Sequence, residues 1–246
     1  YLVFLRNAIQ GNLGESLYRK GTKVSSLIAE RFPNTFILAL SAMFIAVSLS
    51  LFAGILSAIR RGTLTDSAIM ALSGLGISIP AFFLGPLLLL VFCRYLKWLP
   101  PPAGTEGFPG IILPAVTLGF ALAAFLSRLI RSQMIEVLSE DFIRTAYAKG
   151  LPKNIVILKH ALSNILVVVI TIAGMQFGSL LTGAIITERV FAWQGIGTLM
   201  IEAITKRDYP VVQGTIILIS CMYVIINLLT DVLYAIIDPR IRYAKD

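Results

Sequence analysis

The sequence predicts an all-α, polytopic helical bundle embedded in a membrane. Three observations carry this. The chain is 57% hydrophobic and only 14% charged, against about 25% charged residues in soluble domains. Five stretches contain no Asp, Glu, Lys, Arg or His: Phe32 to Ile59, Ser67 to Cys93, Gly107 to Ser127, Ala161 to Thr187 and Tyr209 to Thr230. Each reaches the roughly 20 residues that cross a ~30 Å hydrocarbon core as a helix. The basic residues behind the net charge of +8 collect at the ends of these stretches. That distribution suits anchoring and snorkelling rather than nucleic-acid binding.

Residues 1–31 mix apolar and polar types, with no signal-peptide pattern and no initial Met. Tyr1 to Ile9 suits an interfacial helix, and Gly11-Asn-Leu-Gly14 is a turn signal. An upstream segment is expected to precede this start. Val24 to Arg31 resembles a short amphipathic lead-in, and Pro33 suits the first turn of the first span, where a missing N–H costs little. The second stretch carries Gly74, Gly76, Pro80, Gly85 and Pro86. Ser73 to Pro80 therefore predicts a bend, which either lines a cavity through Ser78 and Pro80 or is a packing kink. Trp98-Leu-Pro-Pro-Pro-Ala-Gly104 reads as a rigid turn at the bilayer edge. The third stretch contains Pro114 and ends in the basic stop Ser127-Arg-Leu-Ile-Arg131.

In the fourth stretch Asn164, Thr171, Met175, Gly178 and Thr182 fall within about 40° of one helix face at 100° per residue. Gly174 and Gly178 form a small-residue pair that lets backbones approach. Such a stripe suits a translocation path or a subunit seam, with intrachain packing as the plainer use. Glu188 to Gly197 follows, and then Ile196, Leu199, Met200 and Ile204 recur at helical spacing. This predicts a short helix on or dipping into the membrane surface. Asp231, near the end of the last span, reads as a boundary residue because a mid-bilayer carboxylate costs about 2.5–3.5 kcal/mol.

Candidates for chemistry are few. There is no phosphate-binding Gly-x-x-x-x-Gly-Lys-Ser/Thr loop. The single histidine, His160, has Ser163 three residues on but no orienting acid nearby. Cys93 and Cys221 lack metal-ligand spacing. No catalytic residue, metal site or cofactor is expected in this chain.

The segment Asp141 to Pro152 is the exception to the apolar rule. Ser139 is a plausible N-cap, Glu140 and Asp141 suit a helix N-terminus, and Gly150 with Pro152 supplies a stop. The result is a helix of about ten residues, roughly 15 Å long. Alone in water it is marginal, so it needs a docking surface, on a partner or on its own spans. Charge does not choose between the two faces of the membrane. One set of alternating loops holds eleven basic residues and the other ten. Arg60-Arg61 and the basic tail favour the face that carries 132–160 as cytoplasmic, while the basic N-terminal segment argues the other way.

Arg144-Thr-Ala-Tyr-Ala-Lys-Gly-Leu151 followed by His160-Ala-Leu-Ser-Asn164 resembles the coupling motif of ABC-transporter permeases in the dipeptide/oligopeptide/nickel group. Ala146 and Gly150 keep the family spacing, while Arg144 and Thr145 replace the Glu-Ala that begins the general motif. Glu188 to Gly197, Arg207-Asp-Tyr-Pro-Val-Val-Gln-Gly214 and Asp238-Pro-Arg-Ile-Arg242 resemble the same group. The resemblance implies a type I ABC importer permease with six spans, the first lacking here. It implies an external or interfacial segment over 1–31 and a permease domain over 32–246, with a cytoplasmic coupling segment at about 132–160. Phe142, Arg144, Thr145, Ala146, Tyr147, Lys149, Gly150 and Leu151 would then engage an ATPase. Implied partners are two cytoplasmic ATPase subunits holding ATP and Mg, a second, different permease, an external substrate-binding protein and membrane lipid. The implied location is a bacterial or archaeal cytoplasmic membrane, and the implied cargo is a peptide or related small solute, a nickel complex included. A stand-alone secondary transporter or channel is the alternative; such proteins place ionisable groups at mid-membrane, and the first four stretches hold none.

Overall fold

The computed structural model describes residues 6–7, 10–100 and 108–237. The interfacial helix at Tyr1 to Ile9, most of the Trp98–Gly104 turn and the Asp238–Arg242 block lie largely or wholly outside the described residues. The described chain is helical: α1 (Val24–Ile59), α2 (Leu64–Ser78), α3 (Ala81–Leu88) running into a π-helical turn (Leu89–Tyr95), and α4 (Phe108–Leu138). Then come α5 (Asp141–Ala148), α6 (Lys153–Ile155) running into a second π-helical turn (Val156–Ala161), α7 (Leu162–Val190), α8 (Ile196–Thr205) and α9 (Tyr209–Ile237). Among the described residues four helices are long and apolar enough to cross a membrane, and a fifth crossing arises if α2 and α3 count together.

Two elements differ from expectation. The lead-in before the first span is not separate: α1 is one helix of 36 residues that already begins at Val24. Pro33 therefore lies inside it rather than in its first turn. Neighbouring helices and local adjustment tolerate such a proline in membrane helices. At Pro80 the helix breaks rather than kinks: α2 ends at Ser78 and α3 begins at Ala81. Pro80 lacks the N–H that would continue the helix, and a residue before proline disfavours helical geometry; Ile79 is extended, at φ −85° and ψ 116°.

The contacts divide into two compact units. The first comprises residues 1–41, 81–118 and 178–225. Its core packs Val24, Leu27 and Ile28 of α1 against Ile196, Leu199 and Ala203 of α8 and Val211 of α9. The recurrence at 196 and 199 thus reports real burial, whereas Ile204 is half exposed. Gly214 admits α1 closely, since a Cβ there would meet Val24 at 2.6 Å.

Asp208 pins the N-terminal segment to this core. It accepts bonds from the Ser16 hydroxyl and from the backbone N–H of Leu17 (3.0 Å) and Tyr18 (3.3 Å). Burial pushes its carboxyl pKa up, but these donors and the Val211 N–H outweigh burial and hold it below the ordinary value. A depressed carboxylate stabilises the fold fully above its unfolded pKa of about 3.9 and loses that contribution as pH falls through the lower folded value. The protection of the Leu17 and Tyr18 amides, taken as the observed exchange rate against the intrinsic rate at each pH, should therefore be flat from neutral pH to about 4 and fall below it. Asp208→Asn should raise exchange at neutral pH and remove the acid dependence. A wild-type acid profile in that variant would contradict this role.

The second unit comprises residues 42–80, 119–177 and 226–246. It is built on close approach of small residues. A Cβ on Gly119 would sit 2.6 Å from the Ala42 carbonyl oxygen, and one on Gly54 would sit 2.7 Å from Ile130. Gly174 of α7 approaches Thr230 of α9 the same way, at 2.7 Å. Half of the Gly174/Gly178 pair is thus spent on packing within the chain.

Candidate coupling site

The polar segment between α4 and α7 lies wholly in the second unit. Its helix, α5, is eight residues long, with Glu140 rather than Ser139 at the N-cap. Ser139 Oγ instead donates back to the Glu136 carbonyl at 2.6 Å, which closes the end of α4. A serine hydroxyl can serve the helix before it or the helix after it, and here it serves the one before. The C-terminal end matches expectation. Gly150 has φ +76°, its N–H reaches Tyr147 O at 2.9 Å, and Leu151 N–H reaches Ala146 O at 3.3 Å. That pair of bonds is a Schellman stop, which requires the left-handed conformation that glycine adopts freely. A Cβ at Gly150 would meet nothing within 4 Å, so the glycine serves the turn and leaves an open surface.

Two faces of α5 have opposite uses. Ile143 and Ala146 are buried, 1% and 6% exposed. The helix packs on the π-helical turn Val156–Ala161, where Val156, Ile157 and Ala161 are buried. Phe142 and Tyr147 are 42% and 44% exposed; Arg144, Thr145 and Lys149 are also exposed, and Leu151 is half-buried. The set proposed from sequence therefore lies on α5 and the stop that follows it, and divides by exposure. Ala146 does not present itself outward beside Phe142 and Tyr147: its methyl packs inside its own chain, which corrects that expectation. Arg144 and Asp141 approach at 3.7 Å, both almost fully solvated, and such a pair contributes at most about 1 kcal/mol. Thr145 Oγ1 bonds back to Asp141 O.

The cavity candidates lie at the end of α2, in the break after it and on α7. Ser78 and Pro80 flank the α2–α3 break, and Ser78 Oγ donates to Gly74 O at 2.9 Å. Asn164 Nδ2 donates to His160 O and Thr171 Oγ1 to Val167 O. Met175 is half exposed and Gly178 buried. The Thr182 side chain lies outside the described residues. Ser78, Asn164 and Thr171 thus spend their donors on their own helix turns, as suits a low-dielectric setting. Ser163 Oγ likewise donates to the Lys159 carbonyl.

Three acidic groups that the charge pattern did not single out organise buried contacts. They are Asp66, paired with Arg131 at 2.7 Å, Glu188, with no exposed surface, and Asp208. Each lies at the margin of an uncharged stretch, where hydropathy alone marks only a boundary.

The long apolar helices define a multi-pass membrane protein, and its relatives give its class. The chain belongs to the family described as binding-protein-dependent transport system inner membrane component, whose model matches residues 46–243. It is 45% identical over 240 residues to the glutathione transport system permease protein GsiC of Escherichia coli K12, covering 98% of this chain and 78% of that protein. It is 45% identical over the same length and shares to GsiC of Pectobacterium atrosepticum. In fold it resembles the MetNI methionine ABC transporter in an inward-facing form, with TM-score 0.68 and 17% identity over 86% of this chain and 96% of that one. It also resembles an amino acid ABC transporter solved with histidines, with TM-score 0.60 and 18% identity over 88% and 94%. The chain is therefore a multi-pass inner-membrane importer permease, and the stand-alone transporter alternative falls away.

Proposed function

We propose that this permease admits peptides or peptide-like small solutes, glutathione among them, and that α5 is where a separate ATPase drives it. The observation that carries the coupling reading is the outward face of α5. Two large aromatic side chains stand half exposed on an eight-residue helix whose other face is fixed to the chain. A helix this short gains its order from what it packs against, and an aromatic-bearing ledge with Arg144 and Lys149 at its rim suits a groove on a soluble partner.

In this reading residues 132–160 face the cytoplasm. Two ATPase subunits hold ATP and Mg, and closing on ATP they push α5. A second, different permease completes the path, and an external binding protein delivers cargo. The need for a path is physical: a charged peptide cannot cross hydrocarbon without losing its hydration, at many kcal/mol. The relatives named for glutathione transport support a cargo with peptide bonds and free carboxylates over a nickel complex. Asn164, Thr171, Met175, Gly178 and Thr182, with Ser78 and Pro80, remain the proposed cavity or seam.

The test is uptake by proteoliposomes carrying this permease with its partner permease and ATPases. Labelled glutathione and dipeptides are delivered by the binding protein. ATP-dependent accumulation of one of them is expected. Uptake by this chain without ATPase subunits, driven by an ion gradient, would defeat the reading.

A further inference from the structure

We propose that the Asp66–Arg131 pair is a positioning element of the coupling apparatus, locking the end of α4 that leads into α5 to α1 and α2. The inference rests on α5 being the ATPase-docking helix.

All the groups concerned lie in the second unit. There α4 is zipped to two helices. It runs alongside α1 through Gly119 at Ala42 and Gly54 at Ile130, and against α2 through Gly76 at Ala124 and the Ser73–Ser127 hydroxyl pair at 2.8 Å. Contacts among glycines and alanines hold backbones close but are short-ranged and have little directional preference, and the hydroxyl pair adds a single neutral hydrogen bond. By themselves they let one helix slip or rotate on another at small cost.

The last member of the series toward α5 is different in kind. Arg131 donates through Nε to Asp66 Oδ1 (2.7 Å) and through Nη2 to Asp66 Oδ2 (2.8 Å). The Ser57 hydroxyl donates to Oδ1 and the Gly62 N–H to Oδ2 at 2.9 Å. One carboxylate, only 4% exposed, thus collects four donors from α1, the α1–α2 turn and α4, while being carried on the first turn of α2. A bidentate guanidinium–carboxylate pair fixes orientation as well as distance. Buried ion pairs often stabilise no more than apolar packing would, and setting register is their best-attested use. Arg131 stands seven residues before the end of α4 at Leu138, and α5 begins at Asp141. Displacement of α5 therefore reaches α4 just where α4 is bound to α1 and α2, and the three helices are carried together.

The experiment uses the complete transporter in proteoliposomes and compares wild type with Asp66→Asn, Arg131→Lys and Ser57→Ala. Two quantities are read: cargo accumulated per ATP hydrolysed, and stimulation of ATP hydrolysis by loaded binding protein. Asp66→Asn is expected to keep the ATPase subunits bound and hydrolysing, to lose at least tenfold in cargo per ATP, and to lose the stimulation. Arg131→Lys, which keeps charge but not the fork, should fall between it and wild type, with Ser57→Ala closest to wild type. If Asp66→Asn fails to accumulate, Arg131→Lys carries the test. A purely structural role would lower the yield of complex while leaving cargo per ATP unchanged in what assembles, and that result overturns the proposal. Absence of ATP-dependent uptake in wild type would instead remove the docking reading and the proposal with it.

Discussion

Replacing Phe142 and Tyr147 together by alanine is expected to strip the ATPase subunits from this permease while leaving the permease folded. Both side chains are exposed on α5 and neither fills the chain's own core. Aromatic anchors at the centre of an interface each contribute about 2 kcal/mol or more, so each truncation should weaken docking by roughly 30-fold. The pair should abolish co-purification at micromolar concentrations and with it ATP-driven uptake. Ala146→Asp would not test the same thing. Its methyl is buried against the chain, so a carboxylate there would unseat α5 from the π-helical turn behind it. Normal detergent-solubilised melting of the double alanine variant, with ATPase binding lost, is the expected combination. Normal ATPase binding would show that the aromatic ledge is not the contact.

Glu188→Ala should be the most destabilising single change in the first unit. The Glu188 carboxyl has no exposed surface and stands at the N-terminus of α8. It accepts the Thr35 hydroxyl at 2.5 Å, the Thr198 N–H at 3.1 Å and the Gly197 N–H. Thr35 Oγ1 in turn accepts the Ile196 N–H at 2.8 Å. The first three amide donors of α8, which have no partner within the helix, are thus all met by α7 and α1. Gly195 leaves the space, since a Cβ there would collide with the Glu188 carboxyl. The adjoining loop is tied down by Trp193 Nε1 to Asn34 O at 3.0 Å and Asn34 Nδ2 to Gln194 O at 2.8 Å. Truncation orphans several buried donors at about 1–3 kcal/mol each, for a loss on the order of 3–5 kcal/mol. Thermal unfolding in detergent should show it. Limited proteolysis should cut first between residues 190 and 196, and Glu188→Gln, which keeps one acceptor oxygen, should be milder. Unchanged melting in Glu188→Ala would contradict the capping account.

Hydropathy made the spans legible because each is a local property of about 20 consecutive residues. The helix stop at Gly150 was legible for the same reason: a Gly two residues before a Pro is a local signal. What escaped reading depends on partners far apart in the chain. Asp66 sits one residue ahead of the second uncharged stretch and Arg131 inside what reads as a basic stop. Nothing local tells that they meet across 65 positions. Glu188 stood within a family-like block, but its task is set by Thr35, 153 residues earlier. The inward turn of Ala146 was equally hidden, because a short amphipathic helix does not reveal from its own residues which face its chain will claim. Pro33 misled through a sound rule applied to the wrong boundary: α1 starts upstream, where Val24 N–H bonds to Gly14 O at 3.0 Å.

The most direct measurement is photocrosslinking in native membranes from a benzophenone amino acid placed at Phe142, with Ile143 as the buried control. At Phe142 the account predicts a covalent adduct with the ATPase subunit, whose yield changes when ATP is trapped; at Ile143 it predicts adducts within the chain alone. Adducts from Phe142 only to lipid or to this chain, in every nucleotide state, would contradict it.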